Sequence, residues 1–175
     1  MAIKYPFVLE IISLYKTDSA QVLDVGAGTG VYCDSFAEGM YTGIDLEVSS
    51  CEKVIQASAL NIPFPSDSFD VAFGVASIYL AGANCLSEIQ RVLKPGGVLL
   101  IFDYQRKVLQ RLRETSKIDH AIWSPRELRR EIRQSGFMKI KRISHRPVKR
   151  SYYIQPITAL KLKLRGSWVI FVAQK

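Results

Sequence analysis

Cysteine is scarce in this chain. Cys33, Cys51 and Cys85 are the only three in 175 residues. Their number is odd and their spacing fits neither a disulfide framework nor a zinc cluster. Sparse, unpaired thiols are expected in a reducing compartment, so a cytoplasmic location is predicted. Histidine is scarcer still, with only His120 and His145. Long apolar runs are absent: the longest unbroken strongly apolar run, Val98 to Phe102, is five residues, against the ~20 that a membrane span needs. The N-terminal segment Met1-Ala2-Ile3-Lys4-Tyr5-Pro6 lacks an apolar core and a small-residue cleavage site, so no signal peptide is expected. Neither internal repeats nor low-complexity tracts occur. Acidic residues are scarce in one half only. Residues 104–175 hold 19 basic and 4 acidic side chains, net +15, whereas residues 1–103 hold 5 basic and 12 acidic, net −7. That asymmetry suggests an acidic partner for the second half, weighed against a merely solvated surface.

What is present reads as one ordinary domain, with 48% hydrophobic and 23% charged residues, long enough to bury a sizeable core. Residues 5–16 carry apolar side chains at helical spacing. Short apolar runs at 21–25, 41–45, 53–56, 69–75, 98–103, 137–143 and 168–173 read as strands. Helices are predicted over 30–37 and 86–93, the second stopped by Lys94-Pro95-Gly96-Gly97. A further helix starts at Ser124-Pro125-Arg126-Glu127, which places Ser at the N-cap, Pro at the first position and Glu in the capping box. It should end at Gly136. Asn61-Ile62-Pro63-Phe64-Pro65 is excluded from regular structure by its two prolines. Strands alternating with helices predict an α/β fold with a mostly parallel sheet.

The most informative stretch is Val22-Leu23-Asp24-Val25-Gly26-Ala27-Gly28-Thr29-Gly30. It follows a strand, and its glycines let the backbone turn tightly and approach a ligand. The spacing is not the G-x-G-x-x-G of nicotinamide or flavin sites, because Val31 stands where Gly or Ala is needed. No Lys follows Gly30, so it is not a phosphate-cradling P-loop. Asp45 ends the second strand, where a carboxylate can accept hydrogen bonds from both hydroxyls of a ribose. Leu46 beside it can pack on an adenine face, and Ser58-Ala59-Leu60 follows the third strand, in reach of a purine edge.

With Leu60-Asn61-Ile62-Pro63-Phe64, Ser68-Phe69-Asp70 and Arg91-Val92-Leu93-Lys94-Pro95-Gly96-Gly97 in the same order, the chain resembles the class I S-adenosylmethionine-dependent methyltransferases, in particular the type 11 subfamily. The resemblance covers residues 20–103 and, more loosely, Ser124 to Lys141. It implies a Rossmann-like, doubly wound, seven-stranded sheet, mostly parallel with the last strand antiparallel, and S-adenosylmethionine over the carboxyl ends of the first strands. By position, Asp24 with Gly26, Ala27, Gly28 and Gly30 would meet the methionine part and Asp45 the ribose. Leu46, Ser58, Ala59 and Leu60 would surround the adenine, and Gly74, Val75 and Ala76 would face the cofactor from the fourth strand. The family often has an acidic residue where Ser58 stands, so the adenine amino group would meet a weaker acceptor here.

A general base should sit past the ends of strands four and five. Tyr79, Asp103 and Tyr104 qualify by position, and His120 lies in a segment that commonly covers the acceptor. Gly74-Val75-Ala76-Ser77 is not the Asn/Asp-Pro-Pro-aromatic motif of enzymes that methylate adenine or glutamine amino groups, and no Pro-Cys pair offers a cytosine-type nucleophile. Only Asp70 and Asp103 are on offer for a magnesium site of the catechol type. The two stretches Tyr104 to Trp123 and Ser144 to Ser167 exceed the minimal plan and are rich in Lys and Arg, with Tyr152 and Tyr153 between them. They predict a small anionic acceptor. An RNA acceptor is the alternative, since basic and aromatic side chains together can follow a phosphate backbone. A non-catalytic methyltransferase-like binding subunit is the other. The domain is expected to divide into a cofactor-binding half, 1–103, and a basic acceptor-side half, 104–175.

Overall fold

The computed structural model describes residues 4–104, 106, 110, 114, 123–143 and 168–175. Its elements are α1 (Pro6–Ser13), β1 (Val22–Val25), a 3₁₀ turn (Cys33–Ser35), β2 (Tyr41–Asp45), β3 (Val54–Gln56), β4 (Phe69–Val75), α2 (Ile78–Ala81), α3 (Cys85–Val92), β5 (Leu93–Tyr104), α4 (Pro125–Gln134), β6 (Met138–Ile143) and β7 (Trp168–Gln174). The strands form one seven-stranded sheet in the order β3-β2-β1-β4-β5-β7-β6. β3, β2, β1, β4 and β5 run parallel, while β7 is antiparallel to both neighbours, β5 and β6. This is the Rossmann-like sheet that the resemblance implies.

Period-two alternation in the strands splits the core into two layers. Leu99 and Ile101 of β5, with Val169 and Phe171 of β7, face α3 and α4 through Leu86, Ile89, Leu128 and Ile132. Leu100, Phe102, Ile170 and Val172 face the other way, onto Phe7, Val8, Ile11 and Ile12 of α1. The central strands β1, β4, β5 and β7 are therefore buried on both faces over most of their length, which is why they read as apolar runs.

Two expectations need correction. The helix predicted over 30–37 is a single 3₁₀ turn, Cys33–Ser35. Phe36 is extended (φ −123°, ψ 151°), which stacks its ring on Tyr41 and Phe73 at centroid distances of 5.3 and 6.2 Å. Tertiary packing here overrides local helical preference. Lys94-Pro95-Gly96-Gly97 does stop α3, but β5 already begins at Leu93 and carries the motif within it. Leu93 pairs with Phe69 and Val98 with Val71, so β5 bulges outward between them. A Cβ on Gly97 would lie 2.8 Å from the Lys94 carbonyl oxygen, so the bulge requires glycine there. The capping box at α4 forms: the Glu127 N–H donates to Ser124 Oγ at 3.3 Å and the Ser124 N–H to Glu127 Oε2 at 2.6 Å.

Candidate active site

Five parallel strands place five carboxyl ends along one edge of the sheet, and the predicted site residues with described positions lie in the last residues of these strands or shortly after them. After β1, the Gly26 and Ala27 N–H groups both donate to the Ile44 carbonyl, at 2.8 and 3.0 Å. Ala27 can sit so close because Gly43 of β2 has no side chain; a Cβ there would lie 2.7 Å from that of Ala27. Gly26 has φ +75°, and a Cβ on it would lie 2.4 Å from Ser77 Cβ. Ser77 uses that space to donate its hydroxyl to the Val25 carbonyl at 2.6 Å. Gly74 makes room for the same side chain, since its Cβ would lie 2.8 Å from Ser77 Oγ. The glycine loop is thus bolted to the end of β4 by a serine that sequence reasoning did not single out. Gly30 packs on Cys51, whereas a Cβ on Gly28 would meet nothing within 4 Å, so the loop opens outward there.

Asp45 points its carboxylate at that open loop. Oδ2 accepts the Gly28 N–H at 2.7 Å and Oδ1 the Glu47 N–H at 3.0 Å. Both oxygens are oriented, and each keeps acceptor capacity for a hydroxyl. Leu46 and Leu60, after β2 and β3, are large apolar side chains left 70% and 52% exposed, the pattern of a surface awaiting a flat apolar group. Ser58 Oγ accepts the Leu60 N–H at 3.2 Å, which leaves its hydroxyl hydrogen to donate. Ala59 packs against the core below, and Val75 against the other layer. Asp24 is buried, and Tyr41 donates its hydroxyl to Oδ2 at 2.8 Å. Burial pushes its carboxyl up to about 7; the Tyr41 hydrogen bond opposes this and the nearby Asp45 charge adds to it.

At the end of β5 a second group of residues converges. Tyr79, Asp103, Tyr104, Trp123, Ser124, Pro125, Leu128 and Val169 line a small cleft. The space open to water centres there is about 10 Å³, roughly one water. The Tyr79 and Tyr104 rings are 6.1 Å apart. Asp103 is only 2% exposed, and neither of its oxygens has a hydrogen-bond partner of ordinary geometry. Burial pushes its carboxyl up to about 7, offset only in part by the Tyr79 backbone N–H. Burial, with the Asp103 charge second, pushes the Tyr79 hydroxyl up to about 12. Asp70 lies at the opposite end of β4, held by Lys94 Nζ at 2.8 Å and the Gln21 N–H at 2.8 Å, so the two carboxylates weighed for magnesium do not meet. His120, Tyr152, Tyr153 and the basic residues of 144–167 lie outside the described residues.

A family profile described as a methyltransferase domain matches residues 23–101. These residues hold the glycine loop, Asp45, the segment after β3 and the end of β4. Over that stretch the chain is similar to the methyltransferase-domain family. The chain is 33% identical over 116 residues to a fatty-acid O-methyltransferase of Mycolicibacterium smegmatis, covering 53% of this chain and 42% of that protein. It is 31% identical over 110 residues to a ubiquinone/menaquinone biosynthesis C-methyltransferase of Hahella chejuensis, covering 50% and 44%. These matches span less than half the length of those curated relatives. An S-adenosylmethionine-dependent methyltransferase from Archaeoglobus fulgidus superposes with a TM-score of 0.71 at 17% identity, covering 97% of this chain and 92% of that one. S-adenosylmethionine is the cosubstrate of the methyltransferase family, and the residues present suit it: an open glycine, an oriented carboxylate and two exposed leucines on adjacent strand ends.

Proposed function

We propose that this chain catalyses transfer of a methyl group from S-adenosylmethionine to a small-molecule acceptor that carries an anionic group. The observation that carries the reading is the pairing, on one sheet edge, of the Gly28–Asp45 contact with the cleft around Asp103 two strands away. In this reading Asp45 accepts the ribose hydroxyls, and Leu46, Leu60 and Ser58 border the adenine. Asp24, Gly26, Ala27, Gly28 and Gly30 shape the methionine side, and Gly74 and Val75 close it from β4. When bound, S-adenosylmethionine supplies a methyl group activated by its sulfonium. The protein's part is alignment, which can be worth about 7–11 kcal/mol. Asp103, with Tyr79 beside it, receives a proton where the acceptor has one to lose.

The reading takes residues 1–175 as one catalytic domain, with 1–103 holding the cofactor and 104–175 the acceptor. The described part of the second half supports an anionic handle. Arg126, Arg129, Arg130 and Arg133 of α4 and Lys139, Lys141 and Arg142 of β6 are all exposed. Arg106 lies 3.7 Å from Glu127 at the start of α4, next to the cleft. The unpaired cysteines support a reducing, cytoplasmic setting. No helix among the described residues is long and apolar enough to cross a membrane. Titration calorimetry with S-adenosylhomocysteine tests the reading. Saturable binding is expected, and its absence at millimolar ligand would sink it.

A further inference from the structure

Resting on the methyltransferase reading, we propose that the reacting group of the acceptor is a basic amine, held by the orphaned carboxylate of Asp103 among the rings of Tyr79, Tyr104 and Trp123. None of the described residues lining the cleft is cationic: beside Asp103 they are three aromatic residues, a serine, a proline, a leucine and a valine. The serine hydroxyl already accepts the Glu127 N–H in the α4 capping box. Asp103 therefore sits 98% buried with no counter-ion among the described residues of the cleft and no hydrogen bond of ordinary geometry. Such a carboxylate is costly unless something arrives to pair with it.

Three kinds of reacting group can be compared. A carboxylate would place a second negative charge against Asp103 in a dry site and is repelled. A neutral alcohol could donate one hydrogen bond and would leave the charge unbalanced. An ammonium group supplies both the opposite charge and several donors, and the faces of tyrosine and tryptophan rings attract a cation. The size of the cleft points the same way: space for about one water accommodates an amino head rather than a branched group. The titratable groups facing Asp103 do not compete for its role. Burial first, and the Asp103 charge after it, pushes up Tyr79 of α2 and Cys85 of α3, each to about 12. Burial, then the neighbouring Tyr5 and Tyr79, pushes Tyr104 higher still. All three stay neutral while Asp103 changes charge.

The proton balance closes. An ammonium N–H passes its proton to an Asp103 oxygen, which frees the nitrogen lone pair. That pair forms the new N–CH₃ bond as the C–S bond breaks, and the C–S electrons stay on sulfur, cancelling its charge. The product leaves as the methylated ammonium ion, and Asp103 releases its proton to solvent. The anionic handle of the same molecule would lie outside the cleft, where Arg106 and Arg126 flank the start of α4.

The test compares three probes that share a phenethyl group on the full chain at about pH 8 with S-adenosylhomocysteine present: phenethylamine, 2-phenylethanol and 3-phenylpropionate, by calorimetry or ligand-observed NMR. Phenethylamine should bind at least about ten-fold more tightly than either of the others, and Asp103→Asn should abolish that preference. An amine that binds no better than the alcohol, or an acid that binds best, overturns the inference. The wild-type ranking decides this even if the variant misfolds. S-adenosylhomocysteine binding, measured on the same samples, separates the two readings. Retained binding without amine preference overturns the amine and leaves the methyltransferase. Amine preference without nucleoside binding supports the Asp103 site and overturns its part in methyl transfer.

Discussion

Three carboxylates in this protein divide into two kinds because of what surrounds them. Asp45 lies at a partly open strand end and is held by two backbone N–H groups, so it is ready to accept a ligand's hydroxyls. Asp45→Ala should weaken S-adenosylhomocysteine binding by about 1.5–3 kcal/mol, the usual worth of hydrogen bonds to a charged group. Unchanged affinity in calorimetry would refute the ribose assignment. Asp24 and Asp103 are buried instead, and both are pushed up to about 7. A carboxyl whose value is raised by folding binds its proton more tightly in the folded chain. The stability it contributes is complete below the unfolded value of about 4 and is lost as pH rises through about 7. Asp103→Asn removes that loss at one site. Its stability should match wild type near about pH 4 and exceed it by about 1–3 kcal/mol near pH 8. Urea unfolding of both proteins at the two pH values measures this, and a variant less stable at the higher pH would show that Asp103 has a stabilising partner.

At the scale of elements, α3 controls the segment after β3. Glu88 accepts the Ile62 N–H at 3.0 Å and pairs with Arg91 at 2.9 Å. Arg91 in turn donates to the Phe64 and Ile62 carbonyls at 2.8 and 2.9 Å. The Pro63 and Pro65 segment has no strand or helix ladder of its own, so these side chains satisfy its backbone. Arg91→Ala should therefore destabilise the fold by about 1–3 kcal/mol. It should also weaken S-adenosylhomocysteine binding, because Ser58 and Leu60 lie just ahead of the segment. Denaturation and calorimetry on the variant read the two effects, and unchanged values in both would remove the clamp. The Arg91-to-Gly97 motif, visible in the sequence as a helix stop, is thereby explained part by part. Arg91 clamps the loop, Lys94 pairs with Asp70 at 2.8 Å, and Gly97 permits the bulge that starts β5.

For the whole molecule, charge and cleft size weigh against each other. The exposed arginines and lysines of α4 and β6 would suit a phosphate backbone, yet the cleft at Asp103 is small and its described lining holds no cation. A labelled oligouridylate should show no saturable binding at about 150 mM salt. Binding that falls steeply with added salt would favour the nucleic-acid alternative over a small acceptor.

Local pattern was enough for much of this protein. Apolar runs, capping chemistry and glycine punctuation mark all seven strands, α1, α3 and α4, because those features act over a few residues. The candidate-site residues Gly26, Gly28 and Asp45 were legible as positions for the same reason: each marks the turn that ends a parallel strand. Tertiary structure decided what depends on contacts between distant segments. It replaced the helix at 30–37 with a turn, since Phe36 gains more by stacking on Tyr41 and Phe73 than by staying helical. It bolted Ser77 to Val25 across 52 positions of sequence. It gathered Tyr79, Asp103 and Trp123 into one cleft and left Asp103 there without a partner. No spacing rule reports such an absence, because a hydrogen bond is known to be missing only once every neighbour of the buried group is in place.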